Sequence, residues 1–102
     1  KVMFFNMIKI LSEKLYLDYE KILNGVLSDP RISPSHTKVP GPDGDYGFGG
    51  TCFPKDVNAL IKTLDDHGIP PSILDSVWEE NMRYRENWDW AENNSAVKRK
   101  ND

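Results

Sequence analysis

The chain has 102 residues, with 13 Lys and Arg against 16 Asp and Glu, a net charge of −3 and 38% hydrophobic residues. That length suits one domain. A single cysteine rules out an internal disulfide and a Cys-rich zinc site, no metal-ligand spacing is present, and no apolar run approaches the ~20 residues of a membrane-spanning helix. Residues 1–50 carry six basic and six acidic side chains, and residues 51–102 carry seven against ten. Neither half has the basic excess of a nucleic-acid face, so neither nucleic acid nor membrane is expected as a partner. Lys98-Arg99-Lys100 reads as part of a solvated polar tail.

The opening residues, Lys1-Val2-Met3-Phe4-Phe5, read as a helix entered midway, and the absent start Met points to a piece of a longer chain. Phe4, Ile8, Leu11 and Leu15, with Phe5 beside them, form one helical stripe. Asp18 is placed to cap a second helix, whose apolar face is Tyr19, Ile22, Leu23, Val26 and Leu27 and whose pattern ends at Asp29-Pro30. Residues 28–53 keep neither helical nor strand periodicity and carry Pro30, Pro34, Pro40-Gly41-Pro42, Asp43-Gly44, Gly47 and Gly49-Gly50. A loop of that length in a small domain is uncommon and is either functional or disordered. The aromatic residues Tyr46, Phe48 and Phe53 among its glycines favour function.

Pro54 suits the first turn of a third helix, with a stripe of Val57, Leu60, Ile61 and Leu64 and a C-terminal cap at Gly68. Ser72 is expected to cap a fourth helix, with Ile73, Leu74, Val77, Trp78, Asn81, Tyr84 and Trp88 along one face. Asn81 on that face reads as a structural pin, since a buried amide needs partners. These elements predict an all-α fold of about four helices around a long Gly/Pro-rich loop. The domain spans residues 1–88, and a polar tail that frays occupies residues 89–102.

The chemistry concentrates in Tyr46-Gly47-Phe48-Gly49-Gly50-Thr51-Cys52-Phe53-Pro54-Lys55-Asp56. Cys52 follows glycines that let a ligand approach the backbone and precedes a helix N-terminus, whose free amides and dipole favour a thiolate. Asp56, four residues on, falls on the same helical face. A thiol with a carboxylate one turn away suits covalent catalysis on a carbonyl followed by attack of water. The residues alone leave a second reading open, an inert buried cysteine with Asp56 as a dipole-compensating surface charge. His67 next to Gly68 suits a helix C-terminus, and His36 in the polar loop is a further candidate.

The block Gly47 to Asp56 resembles the active-site signature of the UDP-glucose/GDP-mannose dehydrogenase family. Asp29-Pro30-Arg31-Ile32, Asn6 and Asn81 extend the resemblance over about residues 1–88, closest to the members that oxidise UDP-glucose. The resemblance implies the helical central domain of these enzymes, similar to the C-terminal domain of 6-phosphogluconate dehydrogenases, and a homodimer. It also implies a cytoplasmic NAD-dependent oxidoreductase that takes a nucleotide sugar to the uronate in two steps through a cysteine thiohemiacetal and thioester. Carried over, Cys52 is the nucleophile and Asp56 organises the hydrolytic water. Gly47, Phe48, Gly49 and Gly50 line the sugar with Tyr46, Phe53 flanks the nucleophile, and Arg31 reaches the substrate site of a neighbouring subunit. Lys55 matches a motif position.

The sequence departs from the family pattern in several places. It has no Gly-x-Gly-x-x-Gly turn, so NAD is expected to be held mainly by a domain absent from this chain, and the isolated chain is expected to be inactive. The family's catalytic lysine and its companion asparagine precede the first residue of this chain. Met7 stands where the family has a glutamate, and the loop from Ser33 to Tyr46 is long. GDP-mannose or UDP-N-acetylhexosamine remain alternative substrates. A helical dimerisation module without activity is the reading from a different class.

Overall fold

A computed structural model describes residues 1–92. Four α-helices, α1 (Val2–Lys14), α2 (Tyr19–Leu27), α3 (Cys52–Asp66) and α4 (Ser72–Tyr84), are followed by a short 3-10 turn, Asp89–Glu92. No strand occurs among the described residues, and the fold is all-α as the sequence predicts. No helix among these residues is long and apolar enough to cross a membrane. The chain divides into two compact units, Lys1–Gly47 and the part beginning at Phe48.

In the first unit α1 packs on α2. The core is Phe5, Tyr19, Leu23 and Val39, with Ile8, Val26, Leu27, Ile32 and Tyr46 partly buried against it. Asp18 caps α2 as expected, its carboxylate accepting from the Glu20 N–H at 2.9 Å. α1 ends without glycine. Leu17 N–H donates to the Ser12 carbonyl and Tyr16 N–H to that of Glu13, a Schellman closure that places Tyr16 in the left-handed region at φ 55°. A tyrosine carries no glycine signal, so this ending was not legible beforehand.

The fold divides the apolar stripe expected on α1: Ile8 packs with Phe5 against the core, while Phe4, Leu11 and Leu15 stay uncovered. Met3, Phe5, Asn6 and Ser12 are buried, whereas Phe4, Met7, Leu11 and Leu15 keep 45–56% of their surface exposed. The helix carries two apolar rows, and α2 with its following loop covers the row through Phe5 and Ile8.

The loop after α2 is irregular but tied down. Tyr19 donates its hydroxyl to the Thr37 carbonyl at 2.5 Å, Lys1 Nζ reaches the Ser33 carbonyl at 2.7 Å, and Val39, before a cis Pro40, enters the core. Buried Asn6 holds its far end, its Oδ1 accepting from Gly47 N–H at 2.8 Å.

In the second unit α3 packs on α4, with Ile61 and Trp78 buried. Gly68 closes α3 at φ 71°, with Ile69 N–H on the Leu64 carbonyl and Gly68 N–H on that of Asp65. Two expectations need correction. Ser72 is the first helical residue of α4, Pro71 takes the cap position and no side chain caps. Ile73, expected on the inner stripe, is 81% exposed.

The segment expected to fray from Asp89 onward begins as a packed turn. Trp90 is buried against Trp78, ring centroids 5.1 Å apart, and stacks on Trp88. The physical reason is Trp90, whose burial against Trp78 outweighs the polar residues around it. Lys98-Arg99-Lys100 lies outside the described residues.

Candidate active site

Cys52 is the first residue of α3, one position further into the helix than its sequence context suggested, and its thiol is exposed. The inert buried cysteine is therefore set aside. Thr51 occupies the cap position without a side-chain capping bond. Pro54, in the first turn, is buried. Asp56 follows one turn after Cys52 with its side chain 70% exposed, and Lys55 Nζ lies 3.7 Å from its carboxylate. Phe53 is 44% exposed and meets Phe48 edge to face at 6.0 Å.

The glycine-rich strand of loop before Cys52 is held from behind by α4 and the turn after it. Asn81, fully buried, clamps the backbone of Phe48. Its Oδ1 accepts from the Phe48 N–H at 2.7 Å and its Nδ2 donates to the Phe48 carbonyl at 2.9 Å. The structural pin read from the sequence is this pair of bonds.

Gly50, at φ 77°, donates its N–H to both oxygens of Asp89, at 3.0 and 2.9 Å. Gly49 has no room for a side chain. A Cβ there would stand 2.3 Å from Arg85 Nη2 and 2.7 Å from the Asp89 carboxylate. Arg85 is buried, 3.7 Å from Asp89, with its Nε on the Asn87 carbonyl at 2.8 Å and its guanidinium over the Trp90 ring. Arg85 and Asp89 were missed by sequence reasoning. Their signal was the Trp88-Asp89-Trp90 sequence, too rich in aromatic surface for a solvated tail.

The remaining candidates lie in the first unit. Arg31 forms a fork with Asp29, Nη2 to Oδ2 at 2.8 Å and Nε to both oxygens at 3.1 and 3.2 Å, with the arginine side chain 87% exposed. This fork holds the Asp29 carboxyl below the usual carboxylate range and raises the guanidinium of Arg31. Tyr46 is half-buried against the first core and donates its hydroxyl to Glu13. His36, at φ 64°, sits on the exposed loop with its Nδ1 2.7 Å from the Ser35 hydroxyl.

Residues 1–83 match the UDP-glucose/GDP-mannose dehydrogenase family, central domain. The exposed cysteine at a helix start behind a pinned glycine loop thus has a family, and this chain belongs to it. Its relatives include the UDP-glucose 6-dehydrogenase TuaD of Bacillus subtilis (strain 168), 35% identical over 85 residues. The UDP-glucose 6-dehydrogenases of Rhizobium meliloti (strain 1021) and Pseudomonas aeruginosa are each 37% identical, over 76 and 86 residues. These alignments cover 83%, 74% and 84% of this chain and 17%, 16% and 18% of the respective relatives. The chain therefore spans about a sixth of their length. No solved structure matches it.

Proposed function

We propose that this chain is the cysteine-bearing part of a cytoplasmic, NAD-dependent UDP-glucose 6-dehydrogenase. The observation that carries the reading is the exposed Cys52 at the start of α3, inside the residues that match the family. NAD supplies the hydride acceptor for two oxidations. The described residues are helices and loops without a strand, so they do not form the strand–turn–helix that grips a dinucleotide, and NAD is assigned to sequence outside them.

The work of this chain is to hold the carbon being oxidised. After the first oxidation the Cys52 thiolate adds to the aldehyde carbon, a C–S bond forms, and the carbonyl oxygen takes a proton. That carbon is then sp3 and carries a hydride that can leave. Its loss, with the hydroxyl proton, leaves a thioester on Cys52. Water oriented by Asp56 adds to the thioester, the C–S bond breaks, and the uronate departs with the thiol restored.

Gly47 to Gly50 present backbone to the sugar with Tyr46, Phe53 flanks the nucleophile, and Lys55 and His36 are further candidates. The exposed guanidinium of Arg31 suits a role towards the site of a neighbouring subunit, and the uncovered row on α1 suits a homodimer.

The test is a longer protein carrying this chain, given UDP-glucose and NAD. Two NADH should form per uronate, and the 102-residue chain alone should form none. Cys52→Ser should abolish steady turnover and spare substrate binding. Asp56→Asn should let an acyl adduct accumulate on Cys52, visible as added intact mass. Near-normal uronate formation by the Cys52→Ser protein would refute the covalent assignment.

A further inference from the structure

We propose that Arg85 and Asp89 are positioning residues for Cys52, a clasp that fixes the glycine loop and through it the start of α3. The inference rests on the dehydrogenase reading for its meaning and on geometry alone for its substance. Two residues separate Gly49 from Cys52. The Gly50 amide is held by both oxygens of one carboxylate, at 3.0 and 2.9 Å, and charge-assisted bonds of this kind are stronger than neutral ones. That carboxylate is itself paired with the buried guanidinium of Arg85, an ion pair at 3.7 Å.

Arg85 in turn has little freedom. Its side chain is 1% exposed, its Nε is committed to the Asn87 carbonyl at 2.8 Å, and its guanidinium centre lies 5.6 Å from the Trp90 ring centre. The loop fits against this group only because Gly49 lacks a side chain, since a Cβ would meet Nη2 at 2.3 Å and Cζ at 2.6 Å. A buried charge held in this way costs desolvation. Its placement directly behind the loop that leads into Cys52 gives it a task that a hydrophobic residue would not perform. Neither side chain is assigned a contact with substrate, and both act through Gly49 and Gly50.

The experiment uses the 102-residue chain, without substrate or NAD. Amide hydrogen exchange at Gly50 and the second-order rate of Cys52 alkylation by iodoacetamide are measured in wild type, Asp89→Ala, Asp89→Asn and Gly49→Ala. Asp89→Ala should speed Gly50 exchange at least tenfold and shift the alkylation rate at least threefold, while exchange at Ile61 in α3 stays within twofold. Asp89→Asn keeps an oxygen for the Gly50 N–H and should return the alkylation rate to within twofold of wild type.

Gly49→Ala, which pushes on the guanidinium, should shift alkylation in the same direction, and the double variant should not exceed the larger single effect. If Asp89→Ala loses Ile61 protection as well, the Gly49→Ala alkylation rate decides. An unchanged rate there overturns the proposal, as does wild-type behaviour of Gly50 and Cys52 in a folded Asp89→Ala chain. Such a result would leave the dehydrogenase reading standing. An active Cys52→Ser enzyme would instead remove that reading and leave the clasp.

Discussion

Replacing Asn81 tests how much of the second unit's stability runs through one side chain. Its amide is 0% exposed and meets both polar groups of the Phe48 backbone, at 2.7 and 2.9 Å. Phe48 is itself buried, so water does not easily replace the lost partner. Stranding a buried donor or acceptor costs about 1–3 kcal/mol, and Asn81→Ala strands one of each. The expected loss is therefore about 2–6 kcal/mol, against a total stability of about 5–15 kcal/mol for an ordinary domain. In thermal denaturation followed by circular dichroism, that corresponds to a fall in Tm of about 8 °C or more for a domain near this size.

Two companions separate hydrogen bonding from volume. Asn81→Leu fills the space and should still be strongly destabilised. Asn81→Asp offers an oxygen to the Phe48 N–H, but its carboxylate has no proton for the Phe48 carbonyl. Its stability deficit should shrink as acid protonates it, because the neutral carboxyl can donate as well as accept. A loss below about 0.5 kcal/mol for both Asn81→Ala and Asn81→Leu, the range of an ordinary surface substitution, would refute the argument that this clamp holds the loop.

Two further outcomes follow from the first unit. The Asp29 carboxyl, held down by Arg31, should titrate below the usual carboxylate range by NMR and return to it in Arg31→Gln. Because the folded-state value is the depressed one, the small contribution of this exposed pair is present above the ordinary carboxylate pKa and lost as pH falls through the lowered one; an unshifted Asp29 would show that the fork does not persist in solution. The uncovered row of Phe4, Met7, Leu11 and Leu15 on α1 should pair with a second copy, giving a dimer by sedimentation equilibrium at high micromolar concentration, and Leu11→Lys should return it to monomer. A wild-type chain that stays monomeric there would count against the homodimer.

What the sequence could tell of this molecule was governed by how local each signal is. Asp18, Pro54 and Gly68 were legible because capping chemistry acts within a turn, and the structure gives each the place its chemistry demands. The ten-residue block around Cys52 was legible for the same reason, being contiguous. The α1 stripe was legible as an apolar row, but periodicity does not say which members the chain itself covers, and Ile8 is covered whereas Phe4, Leu11 and Leu15 are not.

Arg85 and Asp89 were the harder case. Their partners, Gly49 and Gly50, lie 36 and 39 residues away in sequence, and no local pattern links an arginine after a helix to a glycine before another. Yet the constraint was half visible. A Gly-Gly pair is ordinarily read as turn punctuation, and here only Gly50, at φ 77°, has a backbone reason to be glycine. Gly49 is glycine because of what stands behind it. When one of two adjacent glycines lacks a positive φ, a bulky group packed against the missing side chain is a physical reason for it beside the approach of a ligand, and in this unit that group is a buried cation.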